Sequence, residues 1–323
     1  MEAVGAGPKR KSAWVAQAAC IVAVVLLIRL PFLNQAVQGD DVYYLAGAQY
    51  AQIDPLHPHH ARYVFGGVEV SMRGHPHPPL NVWFLAALLA AWGGIREVPF
   101  HAAYTVFSLT AALSMLSLAR RFSPRPLLAT LLFLAVPAFV VNGNSFEADL
   151  PFLACWMAAA AAFVRAVDGA SGRWLAAAAA ALALAALAAY QSVLIVPILA
   201  VYLWINRRTW RAGWGVLLAG PLVLGLWQLY EHASSGELPL AVAAGYFQAY
   251  GLQSLANKLK NAGALTGHTG WLLFPALAVA AFRPRARVAW LAVLGAAAAA
   301  AWADAGPLFW ASAGVGSLVI VSS

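Results

Sequence analysis

Charge is scarce in this chain. Only 10% of its 323 residues are Asp, Glu, Lys or Arg, while 62% are hydrophobic. A soluble domain of this length could not hide so much apolar surface, but a bilayer can. Cysteine is almost missing as well. Cys20 and Cys155 lie inside apolar runs, without the spacing of a metal site or an obvious disulfide. No internal repeat and no coiled-coil heptad pattern is present. The net charge of +8 sits in short clusters between apolar runs, which is how topology signals are arranged and not how a nucleic-acid surface is built. The sequence therefore predicts an all-α polytopic transmembrane bundle forming one membrane domain over 1–323.

Apolar runs cover 13–33, 80–93, 99–119, 126–141, 150–166, 174–189, 192–205, 212–230, 266–282, 288–304 and 307–321. A spanning helix needs about 20 residues, so these runs predict about 9–11 membrane segments, with 80–93 and 192–205 on the short side. Lys9, Arg10 and Lys11 precede the first run as they would in a signal peptide. The run is too long for a typical signal core and no small-residue cleavage site follows, so it is expected to stay as the first helix.

The basic clusters are Lys9/Arg10/Lys11, Arg120/Arg121/Arg125, Arg165/Arg173, Arg207/Arg208/Arg211 and Arg283/Arg285/Arg287. All five can face the cytoplasm if 80–93 does not fully cross and if 174–189 and 192–205 meet outside at Tyr190-Gln191-Ser192. Most acids then fall on the outer side, in a bacterial inner membrane the periplasmic side. Two outer loops are long, at about 34–79 and 231–265. The first holds an amphipathic stretch, Val42 to Ile53, expected to lie along the interface with its tyrosines at headgroup level.

Acids at a membrane face are costly and mark functional sites by default. Asp40-Asp41 directly follows the first span. The plain reading is helix capping; the sharper ones are proton transfer and metal binding. Glu147 and Asp149 lie in a polar turn before Pro151, where they either cap a helix or face the first loop and share a divalent cation with Asp41. His57, His59, His60, His75 and His77 are interleaved with prolines. These shape the approach to the run at 80–93 more readily than they build a metal transport site. Arg29 either snorkels to the interface or offers a cation to a lipid phosphate. Arg62, Arg73, Lys258 and Lys260 are weaker candidates of that kind. Gln191 is a polar residue where two short spans meet.

This arrangement resembles the GT-C superfamily of integral membrane glycosyltransferases, closest to the dolichyl-phosphate-mannose–protein mannosyltransferase-like group and the related aminoarabinose transferases. The likeness rests on Gly39-Asp40-Asp41-Val42-Tyr43-Tyr44, His77-Pro78-Pro79-Leu80, Trp92-Gly93-Gly94, Glu97, Arg120-Arg121 and Ala148-Asp149-Leu150-Pro151, in that order. It covers 13–205 as a catalytic module, with further transmembrane helices over 206–323. The resemblance implies transfer of a hexosyl or pentosyl group from a polyprenyl-phosphate donor to an acceptor on the extracytoplasmic face. It implies Asp40 as general base, Asp41 and Asp149 as groups that orient loops or hold a cation, and His75 and His77 lining the cavity. A divalent metal, or Arg and Lys, would meet the leaving phosphate. His101 stands where the family often has arginine, and Gln191 where it often has lysine; both are expected to touch substrate. The chain is short for the group. A transporter or flippase of a lipid-linked saccharide is the alternative and should show paired interrupted helices in matching halves; a scaffold subunit is a third reading.

Overall fold

The computed structural model describes residues 8–65, 67–74 and 77–249. The apolar runs beyond 249 and Lys258, Lys260 and His75 lie outside them. The described chain is helical with one small hairpin. In order it forms α1 (Pro8–Arg29), α2 (Asp41–Tyr50), β1 (Arg62–Phe65), β2 (Val68–Ser71), α3 (Leu80–Trp92), α4 (Glu97–Phe122), α5 (Pro126–Leu134), α6 (Pro137–Asn142), α7 (Asp149–Gly169), α8 (Gly172–Ala188), α9 (Ile195–Arg207), α10 (Arg211–Val216), α11 (Ala219–Ser235) and α12 (Pro239–Ala249). The hairpin lies in the first long loop and pairs Arg62 with Ser71 and Phe65 with Val68, antiparallel.

Five helical stretches among the described residues are long and apolar enough to cross a membrane: Ser12–Phe32, Glu97–Phe122, Asp149–Gly169, Tyr190–Arg207 and Arg211–Ser235. The chain is a multi-pass membrane protein. Helix α3 has 13 residues, about 20 Å at the α-helical rise and short of the roughly 30 Å apolar core. Its length agrees with a segment that does not fully cross. Gly93 ends it in the left-handed region, φ +68°, and its amide donates to the Leu89 carbonyl.

Several expected runs are broken for local reasons. Pro137 splits 126–141 into α5 and α6, because the residue before a proline is pushed out of helical geometry. Ala189 is extended, and the chain continues through a 3-10 turn at Tyr190–Leu194 before α9. The second long loop begins later than expected, since α11 runs to Ser235 and Pro239–Ala249 is helical again. Helix α2 packs on α3, and Tyr44 is buried at 5% exposure instead of lying at headgroup level.

The described residues fall into two units. The larger takes those up to Thr130 and from Gly143 to Tyr246. The smaller includes Leu131–Asn142, where the Phe133 and Phe139 rings lie 5.2 Å apart. In the larger unit α7, α8 and α9 share a core of Phe163, Leu182, Ile195, Leu199 and Leu203 among buried alanines. Alanine lets these helices approach closely, which is the main source of packing energy where lipid is as apolar as the core.

The two ends of α7 differ in charge. Its first residue is Asp149, beside Glu147. Near its last turn, Asp168 accepts from Arg121 Nε at 2.7 Å and from the Tyr202 hydroxyl at 2.6 Å, joining the ends of α4, α7 and α9. With 21 residues the helix separates the two ends by about 30 Å.

Gly47 sits where α2 meets α3, and a Cβ there would lie 2.8 Å from Met72 Sδ and 3.1 Å from Val82 Cγ1, both residues being buried. Gly47→Val is expected to cost about 1–3 kcal/mol by overpacking, and Gly47→Ala less. Thermal unfolding of the detergent-solubilised protein checks this; equal midpoints for wild type and Gly47→Val would contradict the packing described.

Candidate active site

The site is built from two loops that the helices bring together. The first follows α1 and carries Asp40 and Asp41. The second precedes α7 and carries Glu147 and Asp149. They are joined through one residue, Phe146. Its amide donates to Asp41 Oδ1 at 2.6 Å, and its carbonyl accepts from Asn81 Nδ2 at 2.7 Å and from the Tyr104 hydroxyl at 3.2 Å. The Phe146 ring is fully buried among Phe100, His101 and Tyr104.

Asp41 is 0% exposed. Its second oxygen accepts from the Gln38 amide at 3.3 Å, so both carboxylate oxygens meet backbone N–H groups. Burial pushes its pKa above the usual carboxylate value, while the two amides and His101 pull it down. Asp40 is the residue before α2, yet its side chain accepts no capping bond, and it is exposed. The two neighbours thus have separate surroundings.

Glu147 is half-buried, and its pKa is raised by burial and by Asp149, Asp40 and Asp41. The other three acids therefore lie within electrostatic reach of Glu147. Tyr44 lies among them. It hydrogen-bonds the Ala148 backbone, and burial, with Asp149, Glu147 and Asp40, holds its hydroxyl protonated far above the ordinary phenol range. His77 Nδ1 lies 3.3 Å from the Ala188 carbonyl, with Asp149 in electrostatic reach. Burial lowers its basicity, so it is neutral at pH 7, with Nδ1–H as the donor. His101 Nδ1 donates to the Glu97 carbonyl at 2.8 Å, and its Nε2 is buried with no hydrogen-bond partner among the described residues.

The other expected site residues are placed differently. Arg29 is 2% exposed and does not snorkel; Nε donates to Ser108 Oγ at 2.9 Å and a terminal nitrogen to Asn144 Oδ1 at 3.4 Å. It ties α1 to α4 and to the second loop instead of presenting its charge to lipid. Gln191 is exposed in the 3-10 turn before α9. Arg62 pairs with Glu69 on the exposed hairpin at 3.0 Å. Asp41, Glu147 and Asp149 do not form a metal set: among the described residues no group of three or more His, Cys, Asp and Glu side chains is gathered to hold an ion. Both Asp41 oxygens accept backbone amides.

The loop histidines serve a second contact. His57 Nδ1 donates to Asp54 at 2.9 Å and its Nε2 accepts from the Tyr230 hydroxyl at 3.0 Å, while His60 Nε2 lies 3.5 Å from buried Glu231. His59 is buried edge-on to Trp227. These contacts strap the first loop to α11.

Sequence reading missed Asn81, Tyr104, Ser108, Asn144 and Phe146. Asn81 gave one usable signal, as a lone amide in an apolar run directly after Pro79-Leu80. Tyr104 and Phe146 gave none, being aromatics in an aromatic-rich chain.

Two stability effects follow. Burial lowers His59 from its ordinary 6.5 to about 3. Unfolded His59 takes up a proton below pH 6.5 that the folded form refuses until about pH 3, so stability present above 6.5 is lost as pH falls, by about 1.4 kcal/mol per unit at most. Asp41 and Glu147, whose folded values are raised, act with the opposite sign: their contribution is full at low pH and is lost as pH rises through the raised values. The unfolding midpoint of wild type is expected to drop below pH 6.5, and that of His59→Phe to drop less steeply; parallel curves would refute the assignment. Asp41→Asn turns an N–H toward a backbone N–H and is expected to cost about 1–3 kcal/mol, read as a lowered midpoint at pH 7.

Residues 76–229 match the family model described as dolichyl-phosphate-mannose-protein mannosyltransferase. Among solved structures, the crystal structure of ArnT from Cupriavidus metallidurans bound to undecaprenyl phosphate is similar, with a TM-score of 0.51 and 18% sequence identity over 98% of this chain and 61% of that one. The chain thus spans about three fifths of the length of that structure. No curated protein sequence matches significantly. The family match is confined to residues 76–229, and the chain shares the polytopic helical fold of ArnT.

Proposed function

We propose that the protein is a membrane glycosyltransferase that moves a sugar from a polyprenyl-phosphate donor to an acceptor hydroxyl on the extracytoplasmic face. The observation that carries this reading is the pair Asp40 and Asp41. One carboxylate is fully buried and held by two amides, and the other is exposed beside it with no capping bond, within reach of a second acidic loop. The family match and the shared fold support it, and so does the polyprenyl phosphate, undecaprenyl phosphate, bound in the ArnT crystal structure. The side of the membrane rests on charge. The acids sit at one end of α7, and Arg121, Arg165 and Arg207 lie toward the other, where the positive-inside tendency puts the cytoplasm. In a bacterium the acidic end would face the periplasm.

In this mechanism Asp40 accepts the proton of the acceptor hydroxyl as that oxygen attacks the anomeric carbon. The new glycosidic bond forms as the bond from carbon to phosphate oxygen breaks. The polyprenyl phosphate leaves with the electron pair, and the configuration inverts. A carboxylate serves as such a base when it reaches the hydroxyl within hydrogen-bond distance. Glu147 and Asp149 add negative potential that favours the oxocarbenium-like charge at the sugar. No step of this mechanism is routed through a metal.

Purified protein incubated with undecaprenyl-phosphate-linked sugars is expected to release undecaprenyl phosphate, and Asp40→Asn to slow release by about 10²-fold or more. Unchanged release by the variant would remove Asp40 as base. Movement of the intact donor across vesicles without bond cleavage would replace the enzyme reading with a flippase. Exhaustive chelation is expected to leave the rate unchanged; loss restored by a divalent ion would contradict the metal-free mechanism.

A further inference from the structure

We propose that Asn81 and Tyr104 are positioning residues that set the second acidic loop against Asp40; this rests on the reading of the site as a glycosyltransferase centre. Asn81 is 0% exposed near the start of α3, and Tyr104 is 1% exposed one helix later on α4. The Tyr104 hydroxyl donates to Asn81 Oδ1, and Asn81 Nδ2 donates to the Phe146 carbonyl at 2.7 Å. That carbonyl belongs to the peptide group leading into Glu147. The Phe146 amide, in the preceding peptide group, is held by Asp41 Oδ1 at 2.6 Å.

The two peptide groups flanking one Cα are therefore fixed from opposite sides. Asp41 fixes the incoming one and the Asn81–Tyr104 pair the outgoing one. With two soft dihedrals per residue, these contacts leave Phe146 no free rotation, and the direction in which Glu147 and Asp149 leave it is set. The hydrogen bonds of Asn81 and Tyr104 go to each other and to the Phe146 carbonyl, not to the carboxylates of Glu147 or Asp149. Their action runs through the backbone of Phe146. The chain is also directional: the hydroxyl donates to the amide oxygen, whose NH2 donates onward, so each bond polarises the next.

Asn81 accepts and donates in one side chain, and this decides the choice of variants. Tyr104→Phe deletes one hydroxyl and keeps the ring packed on Phe146. Asn81→Leu keeps volume and deletes both bonds. Asn81→Asp keeps the acceptor for Tyr104 and turns an oxygen toward the Phe146 carbonyl.

The test uses the full chain in detergent or nanodiscs with two readouts. Backbone hydrogen exchange is followed in the segment 143–149 and, as reference, in α4 and α7. In Tyr104→Phe and Asn81→Leu, exchange in 143–149 is expected to quicken by about tenfold while the reference helices hold, the effect of losing about one hydrogen bond. Turnover with undecaprenyl-phosphate-linked sugar is expected to lose about tenfold in kcat with KM within about twofold, as misplacement of reacting groups does. Exchange unchanged in 143–149, exchange rising equally in the reference helices, or faster local exchange with unchanged kcat each overturns the proposal. If wild type turns over no lipid-linked sugar, the glycosyltransferase reading fails, and the exchange arm still decides whether the pair holds the loop.

Discussion

The arrangement of this molecule turns on the backbone at Phe146. A ring buried among three aromatic side chains fixes where the residue is, and an acid, an amide and a phenol fix how its peptide groups point. The partners come from the loop after α1, from α3 and from α4. One residue thus registers three stretches of chain that are distant in sequence. Arg29 repeats the device one step earlier in the loop, joining Ser108 of α4 to Asn144. Without these ties the polar turn would be an ordinary connection between apolar helices, and its acids would have no fixed place.

Magnitudes explain why such ties are made of buried polar groups. Leaving a buried carboxylate or guanidinium without partners costs several kcal/mol, whereas an exposed ion pair such as Arg62–Glu69 contributes about 0–1 kcal/mol. The chain therefore holds its loops with Asp41 and Arg29, where release would expose a steep penalty, and leaves the hairpin to a weak surface pair. In a bilayer the hydrophobic effect does not drive helices together, so close alanine packing and internal hydrogen bonds carry more of the specificity. The α7–α8–α9 core supplies the first, and the Phe146 and Arg29 ties supply the second.

Much of the fold was legible because lipid imposes a simple rule on sequence. The runs at 99–119 and 150–166 became α4 and α7, and 80–93 became a helix too short to span. What was not legible came from local backbone chemistry and from side-chain direction. Pro137 divided a run that hydropathy reads as continuous. A four-residue-per-strand hairpin formed inside a loop that carried no strong alternation. Arg29 has the place of a snorkelling residue, and Ser108 on α4 and Asn144 in the second loop turn it inward. The acids of the site were legible as a set, since charge is rare here, but spacing alone left open which of them meets solvent. The grip on Phe146 was illegible because a phenylalanine advertises nothing about the use of its peptide groups.

That question of exposure separates Asp40 from Asp41. Successive residues at the start of a helix point about 100° apart, so adjacent acids at this position are turned to different surroundings. Asp41 faces the bundle, where its oxygens are fully spent on the amides of Gln38 and Phe146, and taking a proton there would weaken the bonds that hold the second loop. A general base must change its protonation in every turnover, and a residue that also fixes the geometry of the site cannot do so without loosening it. Asp40 has no such duty: it is exposed and caps nothing. In the proposed mechanism the labour is divided, with Asp41 holding the loops and Asp40 left to exchange protons.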